Sequence, residues 1–194
     1  MGNQFVKPGV IEGFSGPMAS GKSGALLRRV DPLRWVSGVS YIGFKPGVDT
    51  RGIGSRSGED FIDWIYVSKA SDILDYVKDS HDVVLIDEVQ FFDEVIVDVV
   101  LKLQGDHKNV VFAGLDYDFR GEPFGSMKEL MFRANELMKL YAVCSCGERA
   151  YYTQRLIDGK PASFDSSIVS IEGEGLKESY EPRCFGCHEV PGRR

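Results

Sequence analysis

The stretch Gly16-Pro17-Met18-Ala19-Ser20-Gly21-Lys22-Ser23 follows the pattern G-x-x-x-x-G-K-S of a phosphate-binding loop. Residues 10–15 before it predict a short buried strand, and the residues from 24 onward predict a helix. The glycines let the backbone wrap around an anion, and the start of the helix adds partial positive charge. A chance glycine turn would lack this context. We therefore expect all eight residues to bind ATP, with Lys22 at the β- and γ-phosphates and Ser23 at a Mg²⁺ position.

Working outward from this loop, strands and helices alternate from residue 9 to residue 143, which indicates a parallel α/β sheet. Further strands are expected at residues 39–44, 62–67, 83–86, 109–116 and 140–143, and Ser71 is expected to cap a helix. Residues 94–103 are ambiguous. Their β-branched side chains favour a strand, but the alternation of elements favours a helix, which we expect. Apolar residues at helical spacing between 130 and 138 predict another helix.

The segment Val83-Val84-Leu85-Ile86-Asp87-Glu88 predicts a buried parallel strand that ends in two carboxylates. Ligands of open α/β sheets bind at the carboxyl ends of strands, so both acids should face the phosphate loop. Asp87 is expected to hold Mg²⁺ beside Ser23. Glu88 points differently and could accept a proton from an attacking hydroxyl, or it could orient water for ATP hydrolysis. The loop and the acidic pair leave both roles open.

Composition narrows the class of protein. The chain has 194 residues, of which 43% are hydrophobic and 27% charged, with a net charge of −6. We expect one large domain, or one domain with a small appendage, and no basic surface for nucleic acid or an anionic membrane. No apolar run approaches the ~20 residues of a membrane span. The start of the chain lacks a signal-peptide core, so we expect a cytoplasmic protein.

Four cysteines form a second constellation, Cys144-Ser145-Cys146 and Cys184-Phe185-Gly186-Cys187, followed by His188. In the cytosol, metal binding is favoured over disulfides, and four thiolates suit a tetrahedral Zn²⁺ at ~2.3 Å. Such a site would be structural because no position stays open. His188 is a possible substitute ligand, since the first pair is tighter than usual. Composition changes at Cys144, which predicts domains at residues 1–143 and 144–194.

Six motifs, in order along nearly the whole chain, resemble those of the type II, zinc-containing thymidine kinases. They are residues 16–23 with Leu26-Leu27-Arg28-Arg29, Asp49-Thr50-Arg51, Asp87-Glu88-Val89-Gln90-Phe91-Phe92, Gly114-Leu115-Asp116 with Phe119 and Pro123-Phe124-Gly125, Tyr152-Thr153 with Arg155-Leu156, and Tyr180-x-Pro182 with the second cysteine pair. The resemblance implies a P-loop NTPase (RecA-like) parallel sheet with a small C-terminal zinc-binding and lasso domain.

The resemblance also implies a reaction, the ATP-dependent transfer of the γ-phosphoryl group to the 5′-hydroxyl of thymidine. Glu88 would be the base, Arg51 and Lys22 would support the transferring phosphoryl group, and Asp49 would lie near Mg²⁺. A lasso between the cysteine pairs would close over the base. The implied nucleoside pocket consists of Met18, Phe91, Leu115, Phe119, Thr153 and Tyr180.

The family resemblance further implies a homotetramer inhibited by thymidine triphosphate, with no nucleic-acid or membrane partner. The sequence departs from the family's pattern at three places that bear on which nucleoside accepts the phosphoryl group. They are the short first cysteine pair, the charged residues at 169–175, and Tyr117 with Asp118 where the family usually has small residues. Deoxyuridine is therefore a possible acceptor. Two other hypotheses remain, a P-loop ATPase whose zinc module binds nucleic acid or protein, and a non-catalytic regulator. The intact Lys22, Asp87 and Glu88 disfavour the regulator.

Overall fold

The computed structural model describes residues 8–47, 62–168 and 177–193. A six-stranded sheet lies at its centre, in the order β3-β2-β4-β5-β1-β6, and every neighbouring pair is parallel. The strands are β1 (Ile11–Ser15), β2 (Tyr41–Pro46), β3 (Trp64–Val67), β4 (Val83–Ile86), β5 (Asn109–Gly114) and β6 (Glu136–Lys139). The predicted parallel α/β fold is confirmed.

In the described part of the chain, four helices cover the sheet: α1 (Lys22–Val30), α2 (Ile73–Tyr76), α3 (Ile96–Gly105) and α4 (Met127–Arg133). Alternate residues of β4 point to opposite faces. Val84 and Ile86 pack with α3 and α4, whereas Val83 and Leu85 pack with α1. The central strands β1, β4 and β5 are therefore buried on both faces, which explains their continuous apolar runs.

Residues 94–103 are helical, as predicted, because α3 occupies most of this segment. β4 and β5 are parallel neighbours, and a parallel pair requires a crossover connection. Topology thus outweighs the strand propensity of the valines and isoleucine. Ser71 does not cap the next helix as predicted. It lies inside a 3₁₀ turn (Ala70–Asp72), and α2 begins after Asp72.

The end of the sheet differs from the prediction. α4 ends at Arg133, and Leu137 and Met138 lie on strand β6 rather than on the helix. β6 pairs with β1, and the side-chain oxygen of Asn135 accepts the Ile11 backbone N–H at 2.9 Å. Pairing with β1 therefore outweighs the helical periodicity. The strand predicted at residues 140–143 is present only at Ala142–Val143, and it belongs to another sheet.

Beyond β6, the described residues up to 168 and from 177 to 193 form two small antiparallel sheets. β7 (Ala142–Val143) pairs with β8 (Arg149–Ala150), and β9 (Tyr152–Ile157) lies between β10 (Lys160–Pro161) and β11 (Glu178–Arg183). Within the described ranges, no helix has the length and apolar character needed to cross a membrane. The division at residue 143 stays a prediction.

Candidate active site

The phosphate loop adopts the strained backbone that its glycines predict. Gly16 has φ of +149° and Gly21 of +82°, and a Cβ on Gly16 would lie 2.6 Å from the Leu140 carbonyl oxygen. Ala19 also has a positive φ, of 61°, which is costly for a residue with a Cβ. The Gly21 carbonyl accepts the Ala25 N–H at 2.8 Å and so starts α1. The loop thus joins the end of β1 to the first turn of α1.

Lys22 lies over the loop rather than in solvent. Its Nζ donates to the Pro17 carbonyl at 2.8 Å, and Ser20 Oγ donates to the same oxygen at 2.8 Å. Burial lowers the pKa of Lys22, while the negative charges of Glu88, Asp87 and Asp116 act in the opposite direction. The ammonium therefore lies against the phosphate loop, where the charges of three carboxylates favour its protonated form.

Asp87 meets the phosphate loop at the end of β4, as predicted. Its Oδ1 accepts the Ser23 hydroxyl at 3.2 Å and the Glu88 backbone N–H at 3.0 Å. Burial and the charge of Glu88 raise the pKa of Asp87, against the opposing effect of Lys45. A hydroxyl and a carboxylate side by side are oxygen ligands that suit Mg²⁺, so these two residues fit the predicted metal position.

Lys45 belongs to the site, although the sequence analysis did not single it out. Its Nζ lies 3.3 Å from Asp87 Oδ2 and 4.6 Å from the centroid of the Trp64 ring. β2 extends through Pro46, two residues beyond the predicted end at residue 44, and Lys45 therefore carries a buried ammonium beside β4. A lysine at the carboxyl end of a parallel strand was the only signal in the sequence.

Glu88 has a left-handed backbone, with φ of 51° and ψ of 39°. Its Oε2 accepts the side-chain amide N–H of Gln90 at 2.6 Å, and the amide oxygen of Gln90 accepts the Leu115 backbone N–H at 3.1 Å. Gln90 is buried, so both ends of its amide are fixed. The β4 and β5 ends together therefore orient the Glu88 carboxylate.

The phosphate loop contacts the second group of sheets directly. The Met18 backbone N–H donates to Thr153 Oγ1 at 3.0 Å, and Thr153 is buried on β9. Side chains of a strand alternate between faces, so Arg155 shares the face of Thr153. The cross-strand partner of Arg155 on β11 is Tyr180. One face of this small sheet is therefore turned toward the phosphate loop.

Further contacts link some of the other predicted nucleoside residues. The guanidinium carbon of Arg155 lies 5.4 Å from the centroid of the Phe119 ring. Tyr180 and Arg155 both hydrogen-bond to Glu178, which thus connects Tyr180 with Phe119. Leu115 is buried and bound through its backbone to Gln90. Phe91 packs edge-on against Phe124, with ring centroids 5.3 Å apart.

Tyr117 and Asp118, the departures noted in the sequence, have structural partners. Tyr117 stacks on Tyr152 with ring centroids 5.5 Å apart, and Lys139 Nζ lies 4.5 Å from its ring centroid. Asp118 Oδ1 accepts the backbone N–H groups of Arg120 and Glu122 at 2.9 and 3.0 Å. This acid closes a turn, which accounts for its burial.

Three sequence predictions lie outside the described residues. Asp49 and Arg51, expected near Mg²⁺ and the transferring phosphoryl group, are two of them. The third is the charged lasso segment at residues 169–175.

The four cysteines come together as predicted. The sulfur atoms of Cys144, Cys146, Cys184 and Cys187 all lie within 4.8 Å of one another. Backbone N–H groups of Cys146 and Cys184 donate to the Cys144 sulfur and lower its pKa to about 6, whereas hydrogen bonds among the thiols raise the pKa of Cys187. The residues present therefore fit a structural Zn²⁺, and the short spacing of the first pair does not prevent the cluster.

His188 lies beside this cluster but contacts other groups. Its Nε2 lies 2.9 Å from the Phe119 carbonyl oxygen, and its ring stacks on Tyr152 with centroids 4.8 Å apart. Among the described residues, the group of potential metal ligands contains the cysteines without His188. The structure thus offers four thiolates and places the imidazole against the turn that carries Phe119.

Comparison with known proteins identifies a protein family that matches most of the chain. A family model described as thymidine kinase matches residues 9–188 of the chain. Among solved structures, the chain is similar to domain III of the Thermotoga maritima replication initiation protein DnaA, with 14% identity and a TM-score of 0.43. The match covers 67% of this chain and 54% of that one, so it spans about half of the DnaA domain's length. A similarity this weak carries no argument about function.

Proposed function

The chain belongs to the thymidine kinase family, and on that premise we propose that it transfers the γ-phosphoryl group of ATP to the 5′-hydroxyl of thymidine. The products would be thymidine monophosphate and ADP. The observation that carries this proposal is the end of β4, where Asp87 bonds the Ser23 hydroxyl and the next residue is Glu88. A phosphate site and a candidate base thus share one strand end.

The ATP phosphates would lie in the loop of residues 16–23, with Lys22 as their cation. Ser23 and Asp87, with Asp49 from outside the described residues, would hold Mg²⁺, which offsets phosphate charge when bound. Transfer of a phosphoryl group depends mainly on positioning and electrostatic stabilisation. Arg51 would support the transferring group.

Glu88 accepts the proton of the 5′-hydroxyl in this mechanism. Gln90 Nε2 donates a hydrogen bond to Glu88 Oε2 at 2.6 Å. This bond limits the rotation of the carboxylate before a nucleoside binds. A positioned carboxylate contributes about 10²–10⁴-fold to a reaction of this kind. The left-handed backbone at Glu88 supports the assignment, since such strain clusters at functional sites.

The nucleoside would bind between the phosphate loop and the face of β9 that carries Thr153. Met18, Phe91, Leu115, Phe119, Thr153 and Tyr180 are the residues proposed to form its pocket. The bond between Met18 and Thr153 supports this placement because it brings β9 against the loop. Aromatic side chains suit a flat pyrimidine.

The test is a panel of nucleosides assayed with Mg-ATP. We expect thymidine to be phosphorylated, deoxyuridine to be a weaker or equal acceptor, and purine deoxynucleosides to be inactive. ATP hydrolysis that is stimulated by a nucleic acid and indifferent to nucleosides would reject the proposal in favour of a P-loop ATPase.

We also propose a structural Zn²⁺ at the four cysteines, a cytoplasmic location, inhibition by thymidine triphosphate, and a homotetramer.

Strand β6 supports self-association because it ends the sheet and exposes Leu137 and Met138. An exposed apolar edge strand is a template for pairing with another chain. A monomeric mass in solution would reject the tetramer.

A further inference from the structure

We propose that Arg155 and Glu178 form a positioning pair that fixes two walls of the nucleoside pocket, those of Phe119 and Tyr180. This inference rests on the proposed function and deepens it. Neither residue touches the phosphate loop in the contacts described above, and neither is assigned a chemical step. Their role is to hold the groups that contact the nucleoside.

Arg155 is a buried cation with specific partners. Its exposed fraction is 4%, and its Nη2 donates to Glu178 Oε1 at 2.5 Å. The other terminal nitrogen, Nη1, donates to the Ser167 carbonyl. A charge this deeply buried must be paired, and the planar guanidinium fork sets the direction of both bonds. Arg155 is therefore held in one orientation.

The guanidinium in turn contacts Phe119. Arg155 Cζ and Arg120 Cζ each lie 5.4 Å from the centroid of this ring. Arg120 Nη2 donates to the Ser166 carbonyl at 2.6 Å, next to the carbonyl that Arg155 binds. Two cations that contact one aromatic ring, each tied to a neighbouring carbonyl, restrict where that ring can lie.

Glu178 connects the same pair to Tyr180. Its Oε1 accepts Arg155, and its Oε2 accepts the Tyr180 hydroxyl at 3.3 Å. Tyr180 and Arg155 are also direct cross-strand partners on β11 and β9. Phe119, Arg155, Glu178 and Tyr180 thus form a continuous chain of contacts in space. Because Thr153 lies two residues before Arg155 on the same face, this set reaches the phosphate loop.

The Arg155–Glu178 ion pair differs in position and exposure from the Arg183–Glu181 ion pair of β11. Glu181 pairs with Arg183, but residues of odd number on this strand lie on the opposite face from Glu178 and Tyr180. The carboxyl side chain of Glu181 is 41% exposed, compared with 21% for Glu178. E181Q therefore makes the same chemical change on the same strand without touching the proposed pair.

The experiment compares E178Q, R155Q, the double variant and E181Q with the wild type. Melting temperatures and the KM values for thymidine and ATP are measured for each. We expect E178Q and R155Q to raise KM for thymidine by about 10- to 100-fold, because displaced walls misplace the acceptor. KM for ATP should stay unchanged. The double variant should add little to either single change, since both remove the same contact.

E181Q should keep the wild-type KM for thymidine. A purely structural role would lower the melting temperature and leave both KM values alone, and that result would overturn the inference. If R155Q does not fold, E178D replaces it, because it keeps the charge and shortens the reach by one methylene. A wild type that does not phosphorylate thymidine rejects the proposed function and this inference with it. An active wild type with unshifted E178Q and E178D rejects the positioning role alone.

Discussion

At the scale of single residues, the site is defined by buried charges that compensate one another. Asp87 is bonded through both carboxylate oxygens, to Ser23 on one side and to Lys45 on the other. Burial alone would favour the neutral acid. Lys45 therefore supports the ionised form of the carboxylate that is proposed to hold Mg²⁺.

Removing the Lys45 charge should destabilise the fold. K45M leaves Asp87 buried without its cation, and we expect a loss of about 3–5 kcal/mol in the free energy of unfolding. K102M is the matched control, because the Lys102–Asp106 pair is exposed and should contribute less than about 1 kcal/mol. Denaturant unfolding measures both. Equal small losses in the two variants would contradict the role given to Lys45.

Gly114 makes room for the amide that orients Glu88. A Cβ there would lie 2.7 Å from Gln90 Oε1 and 2.8 Å from Met127 Sδ. We expect G114A to cost about 1–3 kcal/mol through overpacking and to lower activity by displacing Gln90. At Gly105, a Cβ would meet nothing within 4 Å. G105A should therefore keep both stability and turnover, and an equally active G114A would refute the argument.

At the scale of elements, the sequence correctly predicted the strands and helices whose formation depends on neighbouring residues. The strand–loop–helix around residues 16–23 and the buried strand β4 follow from glycine placement and apolar runs. The α4–β6 boundary could not be predicted in the same way. Leu137 and Met138 fit a helix by spacing, and only pairing with β1 makes them a strand.

The cysteine turns form another element whose stability is testable. Four sulfur atoms within 4.8 Å of one another join the turn after β7 to the 3₁₀ turn Phe185–Cys187. We expect metal analysis to give about one Zn per chain and chelation to lower the melting temperature, since metal binding and folding are coupled. C184S should bind less zinc. A folded, active and metal-free protein would exclude a structural zinc.

At the scale of the whole molecule, the candidate active site lies where the two groups of sheets meet. Met18 and Thr153 are 135 positions apart in the sequence. No local sequence pattern could predict a contact over that separation. The motifs named Thr153 and Tyr180 through family resemblance. They did not name Arg155 and Glu178 as partners, because a diagonal pair across β9 and β11 requires the register of that sheet.

The central claim is that a bound triphosphate and a nucleoside hydroxyl meet at the end of β4, with Glu88 as the base. E88Q tests it most directly, because the amide keeps the size of the side chain and can still accept from Gln90. E94Q is the control, since Glu94 is an exposed acid in the same connection. The measurements are the turnover of thymidine with Mg-ATP and the equilibrium binding of ATP.

We predict that E88Q lowers kcat by about 10²–10⁴-fold and leaves ATP binding unchanged, while E94Q matches the wild type. Undiminished thymidine turnover by E88Q would contradict the account.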